Sequence, residues 1–137
     1  MNNKIHEIVI LAATRTPIGA YKGSLNYIKS DQLGSIVIKE VIKRAKIDKE
    51  RIDEVIMGQV LTSVTGQNPA RQAAINAGLS MSVPAHLVNQ VCGSGLRSII
   101  SGYQTLKLNE AKYMICGGQE NMSLAPHALA YRNEKKL

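Results

Sequence analysis

Four apolar runs alternate with three helical periods along the chain. Residues 8–13, IVILAA, are continuously apolar and rich in β-branched side chains, the pattern of a strand buried on both faces, and TRTPIG closes the run. From Ser30 or Asp31 onward, Leu33, Ile36, Val37, Val41, Ile42 and Ala45 recur at helical spacing, with acid at the start and Lys43 and Arg44 toward the end, as the helix dipole favours. After the turn IDKERIDE comes VIMGQVL, residues 55–61, a second buried strand. Asn68 as N-cap, Pro69 at the first helical position and Gly78 beyond the last turn bound a short helix. PAHLVNQV, residues 84–91, reads as a third strand that delivers the chain to Cys92. Leu96, Ile99, Ile100, Tyr103 and Leu106 then make one apolar face of a helix ending near Asn109, and AKYMIC, residues 111–116, is a fourth strand closed by Gly117 and Gly118. This order predicts an α/β fold, a layered sheet with right-handed crossovers and helices on both faces. Such sheets carry their chemistry at the carboxyl ends of strands, where Cys92 stands.

Composition narrows the picture. The 137 residues make one domain's worth of chain, enough to remove roughly two-thirds of the unfolded surface from water. With 45% hydrophobic residues, no Phe, no Trp and five Tyr, the core must be built from Ile, Leu, Val, Ala and Met. The net charge of +7 invites a nucleic-acid reading. Its distribution argues otherwise: Lys39, Lys43, Arg44, Lys46, Lys49 and Arg51 interleave with Glu40, Asp48, Glu50, Asp53 and Glu54, as on a solvated helix face and its following turn. No window approaches the roughly 18 apolar residues of a membrane helix, and the amino terminus lacks a secretory leader's cationic start, so neither nucleic acid nor membrane is an expected partner. Cys92 and Cys116 lie far apart, without a C-x-x-C pair or a His at ligand spacing, so no metal site is expected and the reducing cytoplasm is the default location.

The stretch NQVCGSGLRSII concentrates the candidate chemistry. A thiolate is the nucleophile, and a free thiol with a pKa of about 8.5 needs something to stabilise its anion. At a helix N-terminus Cys92 would face unpaired N–H groups and the positive end of the dipole. Gly93 and Gly95 each give up about 1 kcal/mol of helix propensity, which close approach of a ligand to the first turn would explain. A first-turn N–H could donate to the oxyanion formed when the thiolate attacks a carbonyl. The competing reading is a small buried hydrophobe, the commonest fate of a free cysteine, and spacing alone does not decide between them. GSGLRS with Glu120 as a ribose acid also suggests a dinucleotide fingerprint, but Ser98 replaces the third glycine and three strands precede it where the fingerprint opens the first unit.

NQVCGSGLRSI, together with VILAATRTPIGAYKGSL, GQVLTSVTGQNPARQAA and GGQENMSLAPHA, resembles the amino-terminal part of a thiolase, most similar to those of the acetyl-CoA acetyltransferase (acetoacetyl-CoA thiolase) type. The stretches follow family order and span nearly the whole chain. The resemblance implies a thiolase-like layered α-β-α fold, amino-terminal half only, with a mixed sheet lacking its last strand. Residues 1–119 would be the incomplete amino-terminal domain and 120–137 the start of a truncated loop region. It implies that Cys92 takes an acyl group from acyl-CoA and passes it to a second acetyl-CoA, giving acetoacetyl-CoA and CoA, or runs thiolysis in reverse, with the Cys92 N–H in the oxyanion hole. Coenzyme A would enter as a thioester substrate, with no further cofactor, and two copies would pair through the third strand as a homodimer.

The same resemblance places the general-base His, the second acid/base Cys and a water-ordering Asn in a carboxyl-terminal half that this sequence does not contain. Cys116 in CGG matches a non-catalytic amino-terminal position and is expected to be a core thiol. His86 in the third strand and His127 in APHA match no catalytic histidine. The alternatives are a non-catalytic fragment that only folds or associates, and a 3-ketoacyl-CoA thiolase of fatty-acid degradation. The isolated chain is expected not to turn over.

Overall fold

Strands need neighbours, and three of the apolar runs find them in the computed structural model, which describes residues 7–127. Strands β1 (Glu54–Gly58), β2 (Ala85–Val88) and β3 (Met114–Gly118) form a sheet of order β2-β1-β3, with β1 parallel to both neighbours. Helices α1 (Ser30–Ala45), α2 (Pro69–Asn76) and α3 (Ser94–Lys107) join and cover them. Central β1 is buried from Val55 to Gly58, as a strand covered on both faces must be. Val55, Met57 and Ile115 pack with Ile38 of α1 and with Ala70 and Ala73 of α2. Ile56 and Cys116 alternate to the opposite face, where the Cys116 thiol lies against Gly102 of α3. The core is Ile, Val, Leu, Ala and Met, as the lack of Phe and Trp required.

Local chemistry explains the boundaries. The Asn68 side chain accepts the Arg71 N–H at 3.0 Å, capping α2 ahead of Pro69, and Gly78 turns the chain away at φ 87°. Asp53 Oδ2 accepts the N–H groups of Lys112 and Tyr113 at 2.7 and 2.9 Å, tying the entry of β3 to that of β1.

Three expectations change. Residues 8–13 form no strand: Val9, Ile10 and Leu11 are 58%, 79% and 56% exposed. An apolar cavity of about 810 Å³ lies between this segment, α1, α3 and β3, and the segment pairs with none of the described strands. The described sheet is wholly parallel, not mixed, because its members are all joined by helical crossovers. Helix α3 also buries a different face from the one expected, and α1 does so in part. In α1 Asp31, Gly34, Ser35 and Ile38 are buried; of the expected face Val41 and Ile42 are half-buried and pack against the core, while Ile36 is exposed. In α3 Ser94, Ser98 and Gly102 face inward, whereas Leu96, Ile99, Ile100 and Tyr103 are exposed.

The reason is backbone-to-backbone packing. A Cβ on Gly58 would stand 2.6 Å from both Ser94 O and Gly95 N, and one on Gly118 would stand 3.4 Å from Gly95 Cα. Helix α3 therefore rests its small-residue side directly on the glycine ends of β1 and β3. Replacing Gly58→Ala forces the helix off the sheet and is expected to lower stability by about 3 kcal/mol. Gly95→Ala meets open space and is expected to raise stability by up to about 1 kcal/mol through helix propensity. Urea denaturation of the two variants checks the contrast, and equal effects would contradict this packing.

Candidate active site

The carboxyl ends of the three strands converge on one turn. Beyond Val88, the last residue of β2, the chain reverses through Asn89, Gln90, Val91 and Cys92 before Gly93 caps α3. The Gly93 N–H donates to Gln90 O at 3.0 Å, the Ser94 N–H to Val91 O at 3.1 Å and the Arg97 N–H to Gly93 O at 2.8 Å. Asn89 Oδ1 accepts the Val91 N–H at 3.0 Å. Ser94 Oγ accepts the Gln90 N–H at 2.9 Å and donates to Val91 O at 2.6 Å. Val91 adopts φ 52°, a left-handed conformation that a β-branched residue rarely takes. Two residues before the helix begins, this reversal leaves Cys92 exposed while Ser94 is buried.

Cys92 thus stands at the carboxyl end of its strand, as expected, but one residue outside the helix cap rather than in the first turn. The N–H groups of Gly95 and Leu96 have no acceptor among the described residues, and the Gly95 nitrogen lies over Gly58 of β1. The space over Gly95 is open. The Cys92 thiol enters no hydrogen bond among the described residues, so no base is held against it there.

Cys116 has the opposite environment. Burial first, then the charge of Glu54, pushes its thiol up to about 11, against a lowering contribution from the Gly102 backbone. Its sulfur fills the space that a side chain at position 102 would need, so it is the core thiol that its setting suggested. His86 is exposed on β2 with Nδ1 3.0 Å from Glu54 Oε1, and His127 is exposed in the loop after β3. Neither hydrogen-bonds Cys92. Among the described residues no three His, Cys, Asp or Glu side chains gather as a metal site would need.

The anchors around the turn were not anticipated. Glu120, weighed above as a ribose acid, is already engaged: its Oε2 accepts the N–H groups of Val60 and Leu61 at 2.8 and 3.3 Å. Gln119 Nε2 donates to Gln59 Oε1 at 2.9 Å, and Gln59 Nε2 donates to Ser30 Oγ at 3.1 Å and Leu61 O at 2.8 Å. Asn121 Nδ2 reaches the carbonyls of Leu25, Asn26 and Ile28. Three consecutive polar residues after two glycines were the available signal, because a chain leaving a buried strand needs partners for its polar groups.

Residues 8–137 match the family described as Thiolase, N-terminal domain. The chain belongs to the thiolase family. This thiolase chain is 50% identical over 125 residues to an acetyl-CoA acetyltransferase of Pseudomonas aeruginosa, covering 91% of the chain and 32% of that protein. It is 51% identical over 120 residues to an acetyl-CoA acetyltransferase of Paracoccus denitrificans, covering 88% of the chain and 31% of that protein. To a cytosolic acetyl-CoA acetyltransferase of Rattus norvegicus it is 43% identical over 137 residues, the whole chain and 34% of that protein. The thiolase chain therefore spans about a third of the length of the curated relatives it matches.

The two thiols should separate cleanly. Iodoacetamide at pH 8, read by peptide mapping, is expected to label Cys92 and spare Cys116; equal rates in folded protein would contradict the two environments. Because the folded Cys116 thiol titrates near 11 against an ordinary value of 9.0, the unfolded chain loses that proton first as pH rises. Stability should therefore be unaffected by this group below about pH 8 and fall between about pH 9 and 11. Cys116→Ala should flatten that part of the stability profile.

Proposed function

We propose that this chain supplies the acyl-carrying half of a thiolase active site, with Cys92 as the nucleophile. The Cys92 sulfur attacks the thioester carbonyl of an acyl-CoA, the bond to the CoA sulfur breaks, and CoA leaves as the thiol once protonated. The acyl group then passes to the α-carbon of a second acetyl-CoA, which gives up a proton, forming acetoacetyl-CoA and freeing Cys92. Thiolysis is the same path reversed. The observation that carries this reading is the left-handed turn that puts Cys92 in the open at the converging strand ends. The names of the relatives support acetyl-CoA as the acyl donor. The Cys92 N–H is assigned to the oxyanion hole, an interaction worth roughly 10²- to 10³-fold in rate where such donors are removed. No cofactor beyond the CoA thioester is required by this chemistry.

The chain is further read as the amino-terminal domain, residues 1–119, with a loop region beginning at 120, of a protein whose general base and second acid/base lie elsewhere; residues 128–137 lie outside the described ones. The exposed α3 stripe, the cavity beside β3 and the one-third coverage of relatives support this. So does the absence of a base against Cys92 among the described residues. No described helix is long and apolar enough to cross a membrane, and a cytosolic setting is proposed on the name of the rat relative. Among the described residues strand β2 is an edge of the sheet, which supports a two-fold homodimer through it.

Incubation with acetyl-CoA should place one acetyl group on Cys92, detected by mass, and Cys92→Ala should remove it. Acetylation at another residue would sink the assignment. Each missing acid/base group typically contributes 10²- to 10⁴-fold, so the 137-residue chain alone should not approach the median enzyme rate of about 10 s⁻¹. Thiolysis of acetoacetyl-CoA at such a rate would overturn the two-part reading. Sedimentation at high micromolar concentration should show dimer.

A further inference from the structure

Val91 occupies a left-handed conformation, at φ 52°, that costs an L-residue about 1–2 kcal/mol and persists only where its surroundings over-determine it. Besides the backbone bonds from Gly93 N–H to Gln90 O and from Ser94 N–H to Val91 O, two side chains hold the turn. Asn89 is exposed, so water competes for its bond to the Val91 N–H. Ser94 is 4% exposed, and its hydroxyl joins the peptide groups on either side of the reversal, accepting from Gln90 N–H and donating to Val91 O. Its own main chain is immobilised from beneath, because β1 brings Gly58 into backbone contact with it. The Ser94 hydroxyl is therefore a fixed point, and Val91, with Cys92 next to it, is referred to that point.

We propose that Ser94 is a positioning residue for Cys92: its buried hydroxyl holds Val91 in the left-handed turn and so sets where the thiol is presented. This rests on reading Cys92 as the nucleophile, but the geometry also governs the thiol's reactivity toward any electrophile. Without the brace, Val91 relaxes toward extended backbone and the Cys92 that follows it is presented in a different place.

The experiment measures iodoacetamide alkylation of Cys92 against pH in the intact chain, with acetylation by acetyl-CoA in parallel. Ser94→Ala is expected to slow alkylation across the pH range by about tenfold, less than the ~10²-fold that a 1 Å misplacement can cost in bond formation. Asn tolerates the left-handed region, so Val91→Asn should restore the rate in the Ser94→Ala background. If Ser94→Ala alone does not fold, the comparison is made within Val91→Asn, where removing the hydroxyl should leave the rate unchanged. Ser98→Ala loses a buried hydroxyl of the same helix that touches Gly95 O and Gly117 O instead, and should leave Cys92 as in the native chain. An unchanged rate in folded Ser94→Ala, or a loss that Val91→Asn fails to restore, overturns the proposal. The expected alkylation pattern without acetylation of the native chain would support the positioning role while sinking the acyl-transfer reading.

Discussion

Helix α3 lies on the sheet with almost nothing between the two backbones. Gly58 and Gly118 end their strands beneath the first turn of the helix, and Ser98 sets its hydroxyl 2.8 Å from Gly117 O. Farther along, Gly102 leaves room for the Cys116 sulfur. At this separation the helix start cannot shift without a clash, since even one methyl group at position 58 has no space. The turn before α3 inherits that rigidity. Ser94, its hydroxyl's two bonds and the left-handed Val91 are all referred to a helix start fixed by strand β1.

The same closeness divides the two cysteines into different chemistries. One face of β3 is pressed against α3, and Cys116 on that face is desolvated beside Glu54, which holds it as a neutral thiol. Cys92 follows the edge strand, beyond the point where the sheet is covered, and stays in solvent reach. Around it the strand-end loops are tethered to one another through Glu120, Gln119 and Asn121, each spending side-chain groups on backbone or buried amides. Such bonds are individually worth about 1 kcal/mol, but a carboxylate accepting two N–H groups is stronger and leaves little freedom to the loop it holds.

Much of the fold was legible in the sequence because local signals and tertiary packing agreed. Asn68, Pro69 and Gly78 bounded α2 to within a residue or two, the run at VIMG is a buried strand, and the run read as AKYMIC is a strand shifted to Met114–Gly118 and buried at Ile115. The exposed place of Cys92 after the third strand was legible, and so was the family, from long motifs in order. What periodicity could not give was direction. Leu96, Ile99, Ile100 and Tyr103 recur at helical spacing, which shows that α3 has an apolar side without saying that this side meets the sheet. The sheet takes the opposite side because its own residues there are glycines. The run at residues 8–13 misled for a related reason: a strand is a relation between segments, and its composition is strand-like whether or not a partner edge is present. Val91 was invisible because a β-branched residue gives no warning of positive φ, and only the hydrogen bonds of its neighbours make that conformation tolerable.

These facts connect stability to reactivity in one direction. A side chain on a flexible loop samples many orientations, whereas one next to a strained turn keeps its place only while a rigid base stops the strain from relaxing. Here the base is the glycine-on-helix contact. It is made by the small side of α3, and it leaves the large apolar side and the cavity beside β3 facing outward. The arrangement that fixes Cys92 therefore also leaves apolar surface that is unfavourable in water. Precision at the turn is achieved within this chain alone, while full burial of α3 depends on a surface that the described residues do not provide.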